Sequence, residues 1–187
     1  MTDPKPICVR FGDVEAMLRP LCMSDASALQ AFFRSHDPET VRLRYGYPRK
    51  EMDDAAAAKL VGVDQRRDVA LGLFSRDDAF LAVGRYYQDP EGTGAEVAFV
   101  VGEMTRGLGM AGYLLGKLAC VAREHGIESF WASVLDDNKP MLRILHHLHD
   151  HAETDPLTGE LVHRVLVSEV LRQWPDFLRF KGIQSIS

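Results

Sequence analysis

Residues 95–112 read AEVAFVVGEMTRGLGMAG, an apolar run that passes through a short polar turn into a glycine-rich loop. A run with one charge among seven residues suits a strand covered on both faces, so the sheet that holds it needs helices above and below. Gly107 and Gly109 then remove side chains that would block close approach by a ligand, and Gly112 reads as a small helix residue that eases packing. As a string the loop fits two phosphate patterns. Read from Gly107 it is G-x-G-x-x-G, the dinucleotide fingerprint. Read from Arg106 it is R-x-x-G-x-A, in which the backbone amides of residues 107–111 at a helix start offer unpaired donors and a positive dipole end to a pyrophosphate.

The rest of the chain separates the two. A dinucleotide fold usually opens on strand, tight glycine turn and helix, and repeats βαβ units around a crevice. Here the loop comes past the middle of 187 residues, GEMTR separates Val101 from Gly107, and only one further strand-helix unit follows. Asp136 stands farther past Gly112 than the roughly 20 residues usual for the ribose-binding acid. A nucleoside-triphosphate loop fails outright, because Tyr113 occupies the lysine position after G-x-x-x-x-G.

Around this unit the pattern alternates between strand and helix. VEAMLR (14–19) reads as a first strand, and Ser24 as the N-cap of a helix carrying Leu29, Phe32 and Phe33. Asp37-Pro38, Gly46 and Pro48 break the next stretch into a partly helical connection, before DDAAAAKLVG forms a helix. DVALGLFS (68–75) and AFLAVGRYYQ (79–88) predict a hairpin, with AEVAFVV as the next strand. Leu114, Leu118, Val121 and Ala122 form one stripe of a helix ending near Gly126, and SFWASVL (129–135) returns as a strand. A helix follows from Asn138 to about His149, LVHRVLVSEV (161–170) closes the sheet, and the residues after Trp174 read as a loosely ordered tail. The length suits one domain, 1–187, with a core over about 14–170.

Strand, GEMT, RGLGMA and amphipathic helix together resemble the acyl-CoA-binding core of the GNAT superfamily of N-acetyltransferases. Val101 lies five residues before Arg106, and DDNKPM after the following strand is similar to the N-x-x-M segment of that family. Residues 18–47, LRPLCMSDASALQAFFRSHDPETVRLRYGY, further resemble the opening of bacterial protein-lysine acetyltransferases. The resemblance implies an α/β, three-layer fold: a mixed, mostly antiparallel twisted sheet with a splayed central parallel strand pair and helices on both faces. It implies acetyl-CoA as co-substrate, without metal. Phe99, Val100 and Val101 are then expected to hold its pantetheine arm as an added strand, and Arg106, Gly107, Leu108, Gly109, Met110 and Ala111 its pyrophosphate. Asn138 matches the family residue that approaches the coenzyme from the next loop, and the same residue reads equally as a helix N-cap.

Glu96 is the expected catalytic residue. It is the only charge in AEVAFVV, it shares a strand face with Ala98 and Val100, and it matches the glutamate base of the lysine acetyltransferases. A lysine amine has an ordinary pKa of about 10.4, so its nucleophilic form is scarce at neutral pH and a base helps. Many family members carry a tyrosine acid on the helix after Asn138. MLRILHHLHD has none, so the acid is water, absent, or a histidine such as His146. The cluster HHLHDH places His147 and His151 four apart, but it sits at a helix end with no second ligand pair, and polar helix-end residues are the expectation.

The predicted acceptor is a protein lysine. A small-molecule amine or polyamine is the alternative substrate, and a non-catalytic acyl-CoA-binding module the alternative class. A net charge of −5 argues against nucleic acid as a partner, and no apolar run has the roughly 20 residues of a membrane span. Three scattered cysteines and a leaderless N-terminus point to the cytoplasm. Oligomeric state stays open, a homodimer included.

Overall fold

A computed structural model of the protein describes residues 6–45, 52–148, 150–155 and 161–186. The expected first strand forms as β2 (Val14–Pro20), with Ala16 and Leu18 buried at alternate positions. It is preceded by β1 (Ile7–Phe11), antiparallel to it and reached through Gly12 at φ +60°. Ser24 is not a helix cap. It lies in a single 3-10 turn, Met23–Asp25, and α1 (Ala26–Arg34) begins after it. The buried Asp25 carboxylate organises this turn, accepting from Cys22 N at 2.8 Å and from both Arg19 Nη atoms at 2.8 Å.

The broken connection contains α2 (Pro38–Tyr45), while Gly46 and Pro48 lie outside the described residues. In α3 (Asp54–Val61) the first turn is capped by Asp53, whose carboxylate accepts from Ala56 N at 2.7 Å. The predicted hairpin is β3 (Asp68–Phe74) and β4 (Phe80–Gln88), and β5 (Gly94–Val101) pairs antiparallel to β4 from Ala95 to Val101. After the glycine loop come α4 (Met110–Glu124), β6 (Ser129–Ser133) and α5 (Lys139–His147).

Sequence and structure part company beyond α5. His151 does not stand on the helix but opens β7 (His151–Thr154), a short strand beside β8 (Leu161–Leu166). The β-branched run then stops being a strand at Leu166, because Val167, Val170, Leu171, Trp174, Phe177 and Leu178 recur at helical spacing and form α6 (Val167–Lys181). The residues after Trp174 are therefore not a loose tail. α6 runs on to Gly182, at φ +63°, and β9 (Gln184–Ile186) pairs with β1. The core accordingly extends past the expected 14–170 at both ends.

One nine-stranded sheet results, in the order β7-β8-β6-β5-β4-β3-β2-β1-β9. Among the described residues β5 and β6 are its one parallel pair. One apolar layer packs α4, α5 and α6 on the sheet through Leu114, Leu118, Leu145 and Val170. The other packs α1 and α3 through Phe32, Phe33, Ala57 and Val61. No helix among the described residues is long and apolar enough to cross a membrane.

Candidate active site

The site begins with a loss of pairing. Parallel register joins β5 to β6 only at Gly94–Ser129, Ala95–Phe130 and Glu96–Trp131, although β5 continues to Val101 and β6 to Ser133. Beyond Glu96 the side of β5 that faces β6 is an open strand edge, of the kind an extended ligand can pair with. Phe99, Val100 and Val101 lie on this open stretch, tied on their other side to Gly84, Val83 and Ala82 of β4. Glu96 stands at the fork, half-buried. Strand alternation turns Glu96, Ala98 and Val100 towards the α1 layer, and Phe99 and Val101 towards the α4 layer.

The glycine loop follows at the open end. Gly107 and Gly109 adopt φ +80° and +93°, conformations other residues reach only with strain. The first backbone bond into α4 runs from Tyr113 N to Gly109 O at 2.9 Å. The amides of Gly109, Met110, Ala111 and Gly112 have no backbone acceptor among the described residues, as at any uncapped helix start. These amides and the two glycine conformations fit a pyrophosphate. Met110 is buried and Leu108 packs against the core, so these two support the loop and contribute backbone alone.

Arg106 is half exposed and already has partners in the chain. Its Nη2 donates to Asp37 Oδ2 at 3.3 Å and to the Thr40 hydroxyl, and lies 3.9 Å from Glu103. The Asp37 carboxylate also accepts from Thr40 N at 2.7 Å. That backbone bond, with further bonds from neighbouring side chains, holds the Asp37 carboxyl well below the usual carboxylate range. At the other end of α2, Arg42 pairs with Asp137 in the loop after β6. This helix therefore ties to both sides of the fork. His36, just before α2, brings Nε2 to 3.4 Å from the Val101 carbonyl oxygen.

Asn138 is the N-cap of α5, its carboxamide oxygen accepting from Met141 N at 3.3 Å. The histidine cluster is rearranged relative to the sequence pattern. His146 and Asp150 gather with His163 of β8, their potential ligand atoms within 4.8 Å of one another, and the buried His163 Nδ1 bonds the Asp150 carboxylate. The pair fastens the end of α5 to β8, a contact invisible in sequence because His163 arrives from another strand.

Three supporting residues escape the sequence reading. Asp37 and Thr40 look like ordinary helix-cap chemistry, and only the fold brings them to Arg106. Lys181 lies at the far end of α6, where its ammonium donates to Gly107 O at 3.3 Å.

Comparison with known proteins now settles the family. The family model for the acetyltransferase (GNAT) domain matches residues 16–149. The chain belongs to the GNAT acetyltransferase family. Acetyltransferase Pat of Mycolicibacterium smegmatis is 31% identical over 138 residues, which is 73% of this chain and 38% of that protein. An acetyltransferase of Pseudomonas aeruginosa is 24% identical over 80% of this chain and 82% of its own length. The solved GNAT domain of Streptomyces lividans PAT superposes with a TM-score of 0.77 at 26% identity, over 86% of this chain and 95% of that one. A cAMP-binding acyltransferase of Mycobacterium smegmatis, solved as a point mutant, matches with a TM-score of 0.60 at 26% identity, over 96% of this chain and 55% of its own. The chain thus spans about two fifths of the curated mycobacterial relative and just over half of the solved one. The GNAT fold accounts for the splayed β5/β6 pair at the centre of an otherwise antiparallel sheet.

Proposed function

We propose that this chain is an N-acetyltransferase in which acetyl-CoA is the donor, the side-chain amine of a protein lysine is the acceptor and Glu96 is the general base. The observation that carries the reading is the end of β5/β6 pairing at Glu96. It leaves a free strand edge leading straight to a helix start with unpaired amides. Acetyl-CoA supplies an activated thioester. The residues that would hold it are Phe99, Val100 and Val101 along the edge, the backbone of residues 107–111 with Arg106 at the loop, and Asn138 across the fork. Glu96, at the fork itself, would take the proton that the amine loses as its nitrogen is acylated. The departing thiolate needs no acid from the chain, since a thiol pKa near 8.5 makes it a tolerable leaving group. The lysine acceptor rests on the resemblance of residues 18–47 to bacterial protein-lysine acetyltransferases.

Titration calorimetry with acetyl-CoA, followed by thiol release with a panel of lysine peptides, proteins and polyamines, tests the reading. Binding and release with lysine acceptors are expected. Glu96→Gln should lower kcat by about 10²–10⁴-fold while leaving acetyl-CoA affinity in place. Absence of binding would overturn the proposal. Binding without release to any acceptor would make the chain an acyl-CoA-binding regulatory module instead.

A further inference from the structure

A buried cation sits beside the fork with little to hold it. Arg85, in the middle of β4, is only 3% exposed. Its guanidinium makes one long hydrogen bond, to Tyr87 Oη at 3.5 Å, and among the described residues no carboxylate lies in ion-pair range. A buried charge of this kind calls for an opposite one.

The register shows where that partner would stand. Arg85 lies directly opposite Ala98, and Tyr87 directly opposite Glu96, so Arg85 shares the face of the proposed base and sits level with the first open stretch of β5. It also lines, with Phe32, His36, Thr40, Val83 and Val100, a small and mostly apolar cavity of about 20 Å³, room for about one water-sized group. Glu96 itself is a poor candidate for the partner. No ion pair joins it to Arg85 among the described residues.

We propose that Arg85 binds a carboxylate carried by one of the two reactants, close to the reacting carbon, and so sets a preference for an acidic acyl group or an acidic acceptor. The planar guanidinium fork matches a carboxylate in two parallel bonds, which lysine cannot reproduce. The same charge disfavours a polycationic acceptor such as a polyamine. The inference rests on the acyl-transfer reading above and adds a substrate class to it.

The test compares wild type, Arg85→Lys and Arg85→Gln, each first titrated with acetyl-CoA to establish folding and donor binding. One arm sets succinyl-CoA against acetyl-CoA with a single lysine peptide. The other holds acetyl-CoA fixed and sets a lysine peptide with glutamate beside the lysine against its glutamine twin. Wild type should prefer the acidic reactant in one arm, and that arm names the source of the carboxylate. Both variants should raise KM for the acidic reactant by about tenfold or more and leave the neutral reactant unchanged, since only the bound carboxylate has lost a partner. No preference in either arm of wild type, or an equal loss for acidic and neutral reactants, overturns the proposal. Equal loss would make Arg85 a positioning residue for the base. If Arg85→Gln does not fold, wild type and the charge-preserving Arg85→Lys decide the matter. Failure of wild type to bind acetyl-CoA sinks the acyl-transfer reading itself, a result distinct from the loss of preference.

Discussion

At Arg106 the loop cation is already partnered, and that limits what it adds to ligand binding. The side chain is 50% exposed and shares Asp37 and Thr40, so a phosphate would compete with bonds that exist before it arrives. Exposed charge pairs contribute little each, typically under about 1 kcal/mol. Arg106→Ala should therefore weaken acetyl-CoA by less than about tenfold, measured by calorimetry. Gly109→Ala should cost more, because the residue sits at φ +93° and a new Cβ would come within 3.2 Å of Ile183 Cδ1. Asp25 behaves differently from either. Burial pushes its carboxyl up, but bonds from Arg19 and from Cys22 N outweigh burial and leave it below the ordinary value. A carboxyl depressed in the folded state contributes stability above its unfolded pKa of about 3.9 and loses it as pH falls through the folded value. Thermal melts should show wild-type stability dropping below about pH 4, with a shallower slope in Asp25→Asn, which starts lower at neutral pH.

Among the elements, α4 and α6 hold each other by aromatic rings laid over glycines. A Cβ at Gly112 would run into the Phe177 ring, and one at Gly116 into Trp174 Nε1. Overpacking of this kind typically costs about 1–3 kcal/mol. At about 2–4 °C per kcal/mol for a chain of this size, Gly112→Ala or Gly116→Ala should lower Tm by several degrees, read by calorimetry or circular dichroism. The sequence marked Gly112 as a small residue that eases packing, but not what lies against it, because Phe177 is distant in the chain and was read as part of the tail. Strong periods were legible: β2 to β6, α3, α4 and α5 stand close to where alternation and 3.6-residue spacing place them. The edge strands were not. β9 has three residues and the polar HAET of β7 has four, too short for a period, so pairing with β1 and β8 defines them. The run VLV at 165–167, which ends β8 and opens α6, reads as strand until Val170, Trp174 and Phe177 reveal the helical face. At the site, the expectations for Glu96 and the loop come from residues contiguous in sequence. Asp37, Lys181 and Arg85 were not legible, because each comes from a separate element that only the fold brings near.

The molecule as a whole divides its sheet into a working middle and a closing edge. β8 and β7 flank the fork on the β6 side, and β3, β2 and β1 separate β4 from β9 on the other. Backbone pairing of Cys8 with Ile186 and of Arg10 with Gln184 brings residues from the two ends of the described chain together on that far edge. Such proximity is what circular permutation requires. A variant that links residue 186 to residue 7 through a short flexible loop and opens new ends in the exposed turn 90–92 should fold and keep acetyl-CoA affinity, since that turn precedes β5 while the glycine loop follows it. A permutant opened at Gly107 should keep the sheet by circular dichroism yet lose the ligand. α6 links that far edge to the glycine loop, since it runs on into β9 while its Lys181 donates to the carbonyl of Gly107.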